Sequence, residues 1–305
     1  MYARHLISLS AALVVGGFLL SGCSVKHLAL TTVADELSSG TGGTFTQDED
    51  LEFMGESLPF ALKLMETIGA AVPEHLGMKL TLASGFTQYG VVFVEWPAEQ
   101  KKYDDYGAYR GGLARAQSFY LRANRYAMEG LELKHPGFRA GILTDTAATL
   151  ANTESEDTPL LYWLAASWFA AVVTDLEDPE MFGLMPIAAA TMKRALELEP
   201  DWDNGAIHEI LISVEPALPM PGGAERAEEH YKRCLELQRG AKAGPHVSLA
   251  TAVAQKAQDR ERFVALLDKA LAIDLDAFPE NRLANDYAQR KARFLLEHID
   301  DLFLD

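Results

Sequence analysis

The chain reads as all-α, a tetratricopeptide-like helical-repeat solenoid with long N-terminal helices, and three observations predict it. No stretch alternates apolar and polar residues with the β-branched richness of a strand, whereas apolar residues recur at spacings of three and four throughout. Four segments close on similar phrases: Gly130-Leu131-Glu132-Leu133, Ala195-Leu196-Glu197-Leu198, Cys234-Leu235-Glu236-Leu237 and Ala270-Leu271-Ala272-Ile273. They lie 65, 39 and 36 residues apart, roughly two, one and one helix-pair units. Within two of these, Ala188, Met192 and Ala195, then Ala227, Tyr231 and Cys234, share one helix face. Small residues at its ends let a neighbouring helix approach and the larger middle one fills the hollow, as in the second helix of a tetratricopeptide repeat. The first-helix signature of that repeat is missing, so the repeats are degenerate. Of 305 residues, 49% are hydrophobic and 23% charged, which suits a chain that buries a core and excludes a disordered, collagenous or multi-span membrane protein. A net charge of −17 repels phosphate polymers, so no nucleic-acid partner is expected, nor attachment to anionic lipid by basic residues alone.

Residues 1–22 read as a lipoprotein signal peptide. Arg4 supplies a weakly basic start, and residues 6–20 form an apolar run of signal length, too short to span a bilayer. Leu20-Ser21-Gly22-Cys23 resembles the bacterial lipobox, in which the cysteine becomes the acylated N-terminus. Cys23 is thus the expected lipidation site, and a lipid anchor facing the periplasm the expected location. Ser24 in the second mature position, by resemblance to the sorting rule of many Gram-negative bacteria, favours the outer membrane. With Cys23 lipidated, Cys234 has no partner and no intrachain disulfide is expected. Residues 23–45 hold a short helix at 25–37 and a glycine-rich hinge at 38–44. That hinge lacks the Gly-Lys-Ser/Thr ending and the preceding strand of a phosphate loop.

The helical domain proper is expected over 46–305. Asp48-Glu49-Asp50 places acids at the positive end of a helix running to about 70. Pro73 and Gly77 punctuate before a helix at 75–94, and 97–105 is a polar connection. Helices are then predicted at 106–134, 159–175, 180–199, 205–217, 223–239, 246–257, 259–273 and 280–303.

Two of these are apolar on nearly every side. Between Leu160 and Val173 no helical face is polar, and between Leu80 and Trp96 the aromatics Phe86, Tyr89, Phe93 and Trp96 follow at offsets of three, four and three. A helix that is hydrophobic all round sits deep in a structure. Its aromatics either form packed core or line a tunnel for an apolar or amphipathic molecule, with a few polar groups converging there. The residues that would line it are Phe86, Gln88, Tyr89, Phe93, Tyr162, Trp163, Trp168 and His208.

Catalytic and metal-binding patterns fail on inspection. His208-Glu209 begins like a zinc-protease helix, but Ile212 stands where the second histidine is needed. No Gly-x-Ser-x-Gly elbow occurs, no Cys/His pair has metal spacing, and Cys234 occupies a packing position. Neither enzymatic activity, nor a cofactor, nor a metal is expected. His208 reads as a buried, hydrogen-bonded histidine.

Several phrases carry a resemblance. They are Leu58-Pro59-Phe60-Ala61-Leu62-Lys63-Leu64-Met65-Glu66, Ser84-Gly85-Phe86-Thr87-Gln88-Tyr89, Leu160-Leu161-Tyr162-Trp163 through Trp168, Gly205-Ala206-Ile207-His208-Glu209 and Arg282-Leu283-Ala284-Asn285. In this order, behind a lipobox, the chain resembles the T component associated with some tripartite ATP-independent periplasmic (TRAP) transporters. The resemblance implies a lipid-anchored, tetratricopeptide-like protein that pairs with the transporter's solute-binding protein, the P subunit. It also implies self-association into a homo-oligomer and an apolar tunnel for a hydrophobic small molecule in each protomer. Ile210-Leu211-Ile212 departs from the family, where an aromatic residue follows the glutamate, and this bears on tunnel shape. A ligand-free scaffold in envelope assembly is the alternative, because helical repeats host many binding functions.

Overall fold

The structure, a computed structural model, describes residues 26–39 and 46–304. Cys23, the signal segment and most of the glycine-rich hinge lie outside the described residues. Every regular element among the described residues is helical. We number the principal helices α1 (26–39), α2 (Leu51–Ala71), α3 (Leu76–Gly90), α4 (Tyr106–Lys134), α5 (Phe138–Thr144), α6 (Thr146–Ala151), α7 (Thr158–Thr174), α8 (Met185–Leu198), α9 (Trp202–Val214), α10 (Gly223–Gln238), α11 (Gly244–Leu249), α12 (Arg260–Leu271) and α13 (Arg282–Glu297). None is long and apolar enough to cross a membrane.

Local chemistry sets the boundaries. Asp50 caps α2 by accepting from Phe53 N at 2.9 Å, and Asp105 caps α4 by accepting from Ala108 N at 2.9 Å. His75 caps α3 through Nδ1, which accepts from Met78 N at 3.0 Å, so its Nε2–H is left to donate to Asp35 of α1 at 2.9 Å. One imidazole thereby fastens α1 to the body, while Ala34 of α1 is buried in the first core. The fully buried Asp157, just before α7, receives Lys134 at 2.5 Å and His135 at 2.7 Å from the end of α4. Burial alone would raise its carboxyl; hydrogen bonds from Lys134, the Glu154 N–H and His135 reverse this and hold it below the usual range.

The observed helices refine the sequence pattern at several places, among them 246–257, where α11 runs on as a π-helical turn, Ala250–Ala254. The helix expected over 75–94 runs on as a π-helical turn, Val91–Glu95, and a further turn, Trp96–Glu99. The segment expected at 180–199 breaks into a turn at Pro179–Phe182 and α8, since proline suits a first helical turn and its ring ends what precedes it. The short α5 and α6 fill the interval left unassigned between 134 and 159. The helix expected from 205 does start its regular right-handed course just after Gly205, and what precedes it within α9 is a kink of three left-handed residues, Asp203, Asn204 and Gly205 (φ 45°, 53° and 87°). Aspartate, asparagine and glycine are the residues that tolerate this region.

Three cores hold the helices together. The first joins α1–α4 around Leu62, Met78, Leu82, Phe86 and Tyr120. The second surrounds α7, which packs against α4, α8 and α3 and buries nearly every side chain it carries. The third unites α10–α13 around Cys234, Phe263, Leu267 and Ala292. The six face residues Ala188, Met192, Ala195, Ala227, Tyr231 and Cys234 are all buried, as small-and-large packing requires. Finally α13 returns to α2 and the π-helical turn, residues some two hundred positions earlier in the chain.

Candidate functional site

A cleft of about 450 Å³ opens along this closing seam. It is lined by the apolar Leu51, Val92, Phe93, Trp96, Pro97 and Phe294 and by the polar Glu52, Gln100, Arg290, Arg293 and Glu297. Four elements build it: the start of α2, the π-helical turn, the turn Trp96–Glu99 with Gln100 after it, and the last two turns of α13. Trp96 joins the two sides of the seam, buried to 5% exposure and edge-on to Tyr287 (6.2 Å) and Phe294 (5.2 Å). Ion pairs flank the tryptophan. Lys291 Nζ lies 3.0 Å from Glu99 and 5.8 Å from the Trp96 ring centre, Arg290 pairs with Glu52 and Asp286, and Arg282 reaches Glu49 at 2.7 Å.

Behind Trp96 lies an ionisable cluster. Tyr120 donates a short hydrogen bond to the Glu95 carboxylate. The approach depends on Gly90, because a Cβ there would run into the Tyr120 ring. Burial, reinforced by the charge of Glu99, pushes the Glu95 carboxyl up to about 7. Burial likewise pushes the Tyr287 phenol up to about 12. It also works against the Lys291 ammonium, but Glu99, Tyr287 and Glu95 outweigh it and hold Lys291 above the ordinary lysine range.

The eight residues expected to line a tunnel fall into separate places. Phe86, Tyr89 and Phe93 form one aromatic line. Phe86 stacks between Phe119 and Tyr126 at 6.1 Å each, with the Arg122 guanidinium 4.5 Å from its ring centre. Tyr89 sits edge-on to Phe119 at 5.2 Å and tilted to Phe93 at 5.7 Å, and Phe93 reaches the cleft wall. Gln88 is exposed, its amide bonded to Ser84 O at 3.4 Å. Tyr162 and Trp163 join Trp202 as a second aromatic group, with ring centres 4.9 Å and 4.6 Å from Tyr162. Trp168 is buried in the core around α7. His208 stands apart, its Nδ1 2.8 Å from His230 Nδ1, so one ring donates and the other accepts. Burial lowers both imidazoles. Burial, with Glu209 nearby, pushes the Cys234 thiol up to about 12, which leaves it un-nucleophilic.

Beneath Phe86, a second polar knot ties α2 to α4. Glu66 accepts from Arg122 Nε at 2.6 Å, from Tyr126 OH at 2.7 Å and from Lys63 at 3.1 Å. Burial alone would raise this carboxyl; Arg122, Tyr126 and Lys63 hold it below the usual range. The knot immobilises the aromatic line without presenting a free reactive group.

Sequence reasoning passed over Leu51, Arg290, Arg293, Phe294 and Lys291. Trp96 belonged to the noted aromatic series but not to the residues singled out. Tyr287, Lys291 and Phe294 at offsets of four and three did signal one shared helix face; their destination was hidden by distance along the chain.

The T-component model of TRAP transporters matches residues 47–303, which includes every element that builds the cleft. The chain belongs to the TRAP transporter T-component family. It is also similar to an uncharacterized protein of Treponema pallidum (strain Nichols), 29% identical over 306 aligned residues that span 94% of this chain and 95% of that protein.

Proposed function

We propose that this T component is a lipid-anchored periplasmic accessory of a TRAP transporter, tethered through Cys23, that binds the solute-binding subunit. It holds an apolar or amphipathic molecule in the seam cleft and acts by binding rather than by catalysis. The observation that carries the ligand part is the cleft itself: an open groove of about 450 Å³ lined by six apolar and five polar residues. Such a mixed lining suits an amphipathic molecule, with apolar surface to cover and polar groups to orient it. The aromatic line from Phe86 through Tyr89 to Phe93 leads inward from this surface, which supports reading the cleft as the entrance to the tunnel that the family resemblance implies.

The partner part draws on α2. Phe53, Phe60 and Leu64 recur at offsets of seven and four and are exposed to 58%, 75% and 46%, an outward apolar stripe of the kind that protein contacts cover. Self-association belongs to the same reading. A ligand-free scaffold has its own support in the tight packing of Phe86, Tyr162 and Trp168.

The test uses full-length protein with its solute-binding partner. Capture of that subunit should weaken at least tenfold in a Phe60→Ser/Leu64→Ser variant, and a denatured extract should yield a co-purifying apolar molecule by mass spectrometry. Capture with repeatedly empty extracts would leave the scaffold. Absence of capture would remove the transport partnership.

A further inference from the structure

The chain carries −17 overall, yet its sign inverts where one continuous set of polar contacts ties α2, α3 and α4 together. Glu66 of α2 joins Lys63 of the same helix, at 3.1 Å, to Arg122 and Tyr126 of α4. The Tyr126 hydroxyl accepts from Arg125 at 3.4 Å, and Arg125 and Lys79 of α3 share Glu129 at 3.8 Å and 2.7 Å. Four cations thus stand on two carboxylates. Arg115, 5.5 Å from the Phe119 ring centre, adds a fifth that pairs with no acid among the described residues. Exposure divides by sign. The side chains of Lys63, Arg125 and Arg122 are exposed to 71%, 53% and 33%, while Glu66 lies beneath them at 7%. Arg115, Arg122 and Arg125, at offsets of seven and three, share one side of α4. Gln117 and Asn124 turn the other side to α7, bonding Ala171 O and Leu164 O, so the charged side points away from the core. Exposed apolar residues stand beside the cations: Phe60 and Leu64 next to Lys63 on α2, and Leu121 one turn before Arg125 on α4.

We propose that this positive face of α2 and α4 is where the solute-binding subunit docks, and that the subunit meets it with carboxylates around an apolar contact. This rests on the proposed function, which sets a partner on Phe60 and Leu64, and adds the chemistry that the partner must bring. An acidic partner is repelled by a chain of −17 as a whole and attracted at this face, so charge sets the docking orientation before apolar contact forms. The guanidinium and ammonium groups are already held by Glu66, Tyr126 and Glu129, which lowers the entropy lost when they are engaged. Cations fixed in this way match carboxylates fixed on a folded partner rather than the mobile headgroups of a bilayer. Phe60 and Leu64 then supply burial and govern how long the complex lasts, while the charges govern how fast it forms.

Surface plasmon resonance between the full-length protein and its solute-binding subunit tests it. Wild-type association should slow roughly tenfold between about 30 and about 300 mM salt, with dissociation little changed. Lys63→Glu/Arg125→Glu should slow association roughly tenfold at low salt and remove most of the salt dependence. Lys193→Glu/Lys232→Glu changes net charge equally on exposed lysines of α8 and α10 and should stay within about twofold of wild type. A wild type indifferent to salt, an unaltered rate in the first variant, or an equal loss in the second would each overturn the proposal. So would two results obtained with capture intact. Weakened self-association of the first variant in sedimentation would assign the face to a second copy. Loss of a preference for phosphatidylglycerol over phosphatidylcholine vesicles would assign it to a bilayer. Should the double variant fail to fold, Lys63→Glu alone decides: slower association is expected, and an unchanged rate contradicts the proposal. Wild-type protein that captures no subunit at any salt removes the partnership and this face with it, whereas capture that ignores these charges removes the face alone.

Discussion

The surroundings of α7 and the seam closed by α13 are built from different materials. Around α7, Leu161, Leu164, Ala165 and Val172 are wholly buried, and neighbouring helices meet through aliphatic and aromatic side chains. At the seam one tryptophan and three ion pairs, beside the partly buried carboxyls of Glu95 and Glu99, hold helices that come from opposite ends of the chain. Apolar packing is non-directional and strong in sum, whereas partly exposed ion pairs contribute little net stability. The comparison teaches that this fold places its apolar packing in the interior and its charges where it closes on itself.

The largest effect should come from the interior. Trp168→Ala leaves a cavity in a packed core and should cost ~3–5 kcal/mol in denaturant unfolding. A loss under ~1 kcal/mol would mean that Trp168 faces open space and that the tunnel runs through α7. Trp96→Ala should cost less, about 2 kcal/mol, because one side of the ring already borders the cleft. A cost equal to that of Trp168 would erase the distinction between the two regions.

Smaller still is the polar knot beneath Phe86. Arg122→Ala strips the buried Glu66 of its bidentate partner, but Tyr126 and Lys63 remain and the arginine is one-third exposed, so about 1–2 kcal/mol is expected. Its pH signature should oppose that of the seam. Glu66 is held below 4.5, so its contribution is present above that pH and is lost as pH falls through the folded value. Glu95 is raised, so stability is greatest below about 4.5 and declines as pH rises through about 7. Urea titrations of Arg122→Ala and Glu95→Gln against the wild type at pH 4 and pH 8 separate the two slopes. The smallest effect should be Arg290→Gln at the rim, no more than ~0.5–1 kcal/mol and fading with added salt.

Much of the helical architecture was legible in the sequence. The acids before α2, the all-apolar register of α7 and the small-and-large faces of α8 and α10 each obey a local rule, and local rules survive without knowledge of the tertiary neighbours. The π-helical turn at 91–95 was not legible. One widened turn leaves apolar residues at the same three- and four-residue offsets, so Phe86, Tyr89, Phe93 and Trp96 look like one continuous face. The left-handed Asp203-Asn204-Gly205 had a compositional signal that reads equally as an ordinary helix cap. The site suffered most, since the cleft exists only because Arg290, Arg293 and Phe294 meet Glu52, Val92 and Phe93 across some two hundred residues. Periodicity records which residues share a face and nothing of what that face will meet.

The claim that binding belongs to the seam rather than to the aromatic interior is tested most directly by occupancy. Native mass spectrometry of full-length protein, gently isolated, should show an adduct that disappears on denaturation. Val92→Trp, which fills the cleft wall, should abolish that adduct, while Ser84→Phe, on α3 away from the cleft lining, should retain it with helicity intact in both. An adduct that survives Val92→Trp and vanishes in Ser84→Phe would place the ligand in the interior and contradict the account.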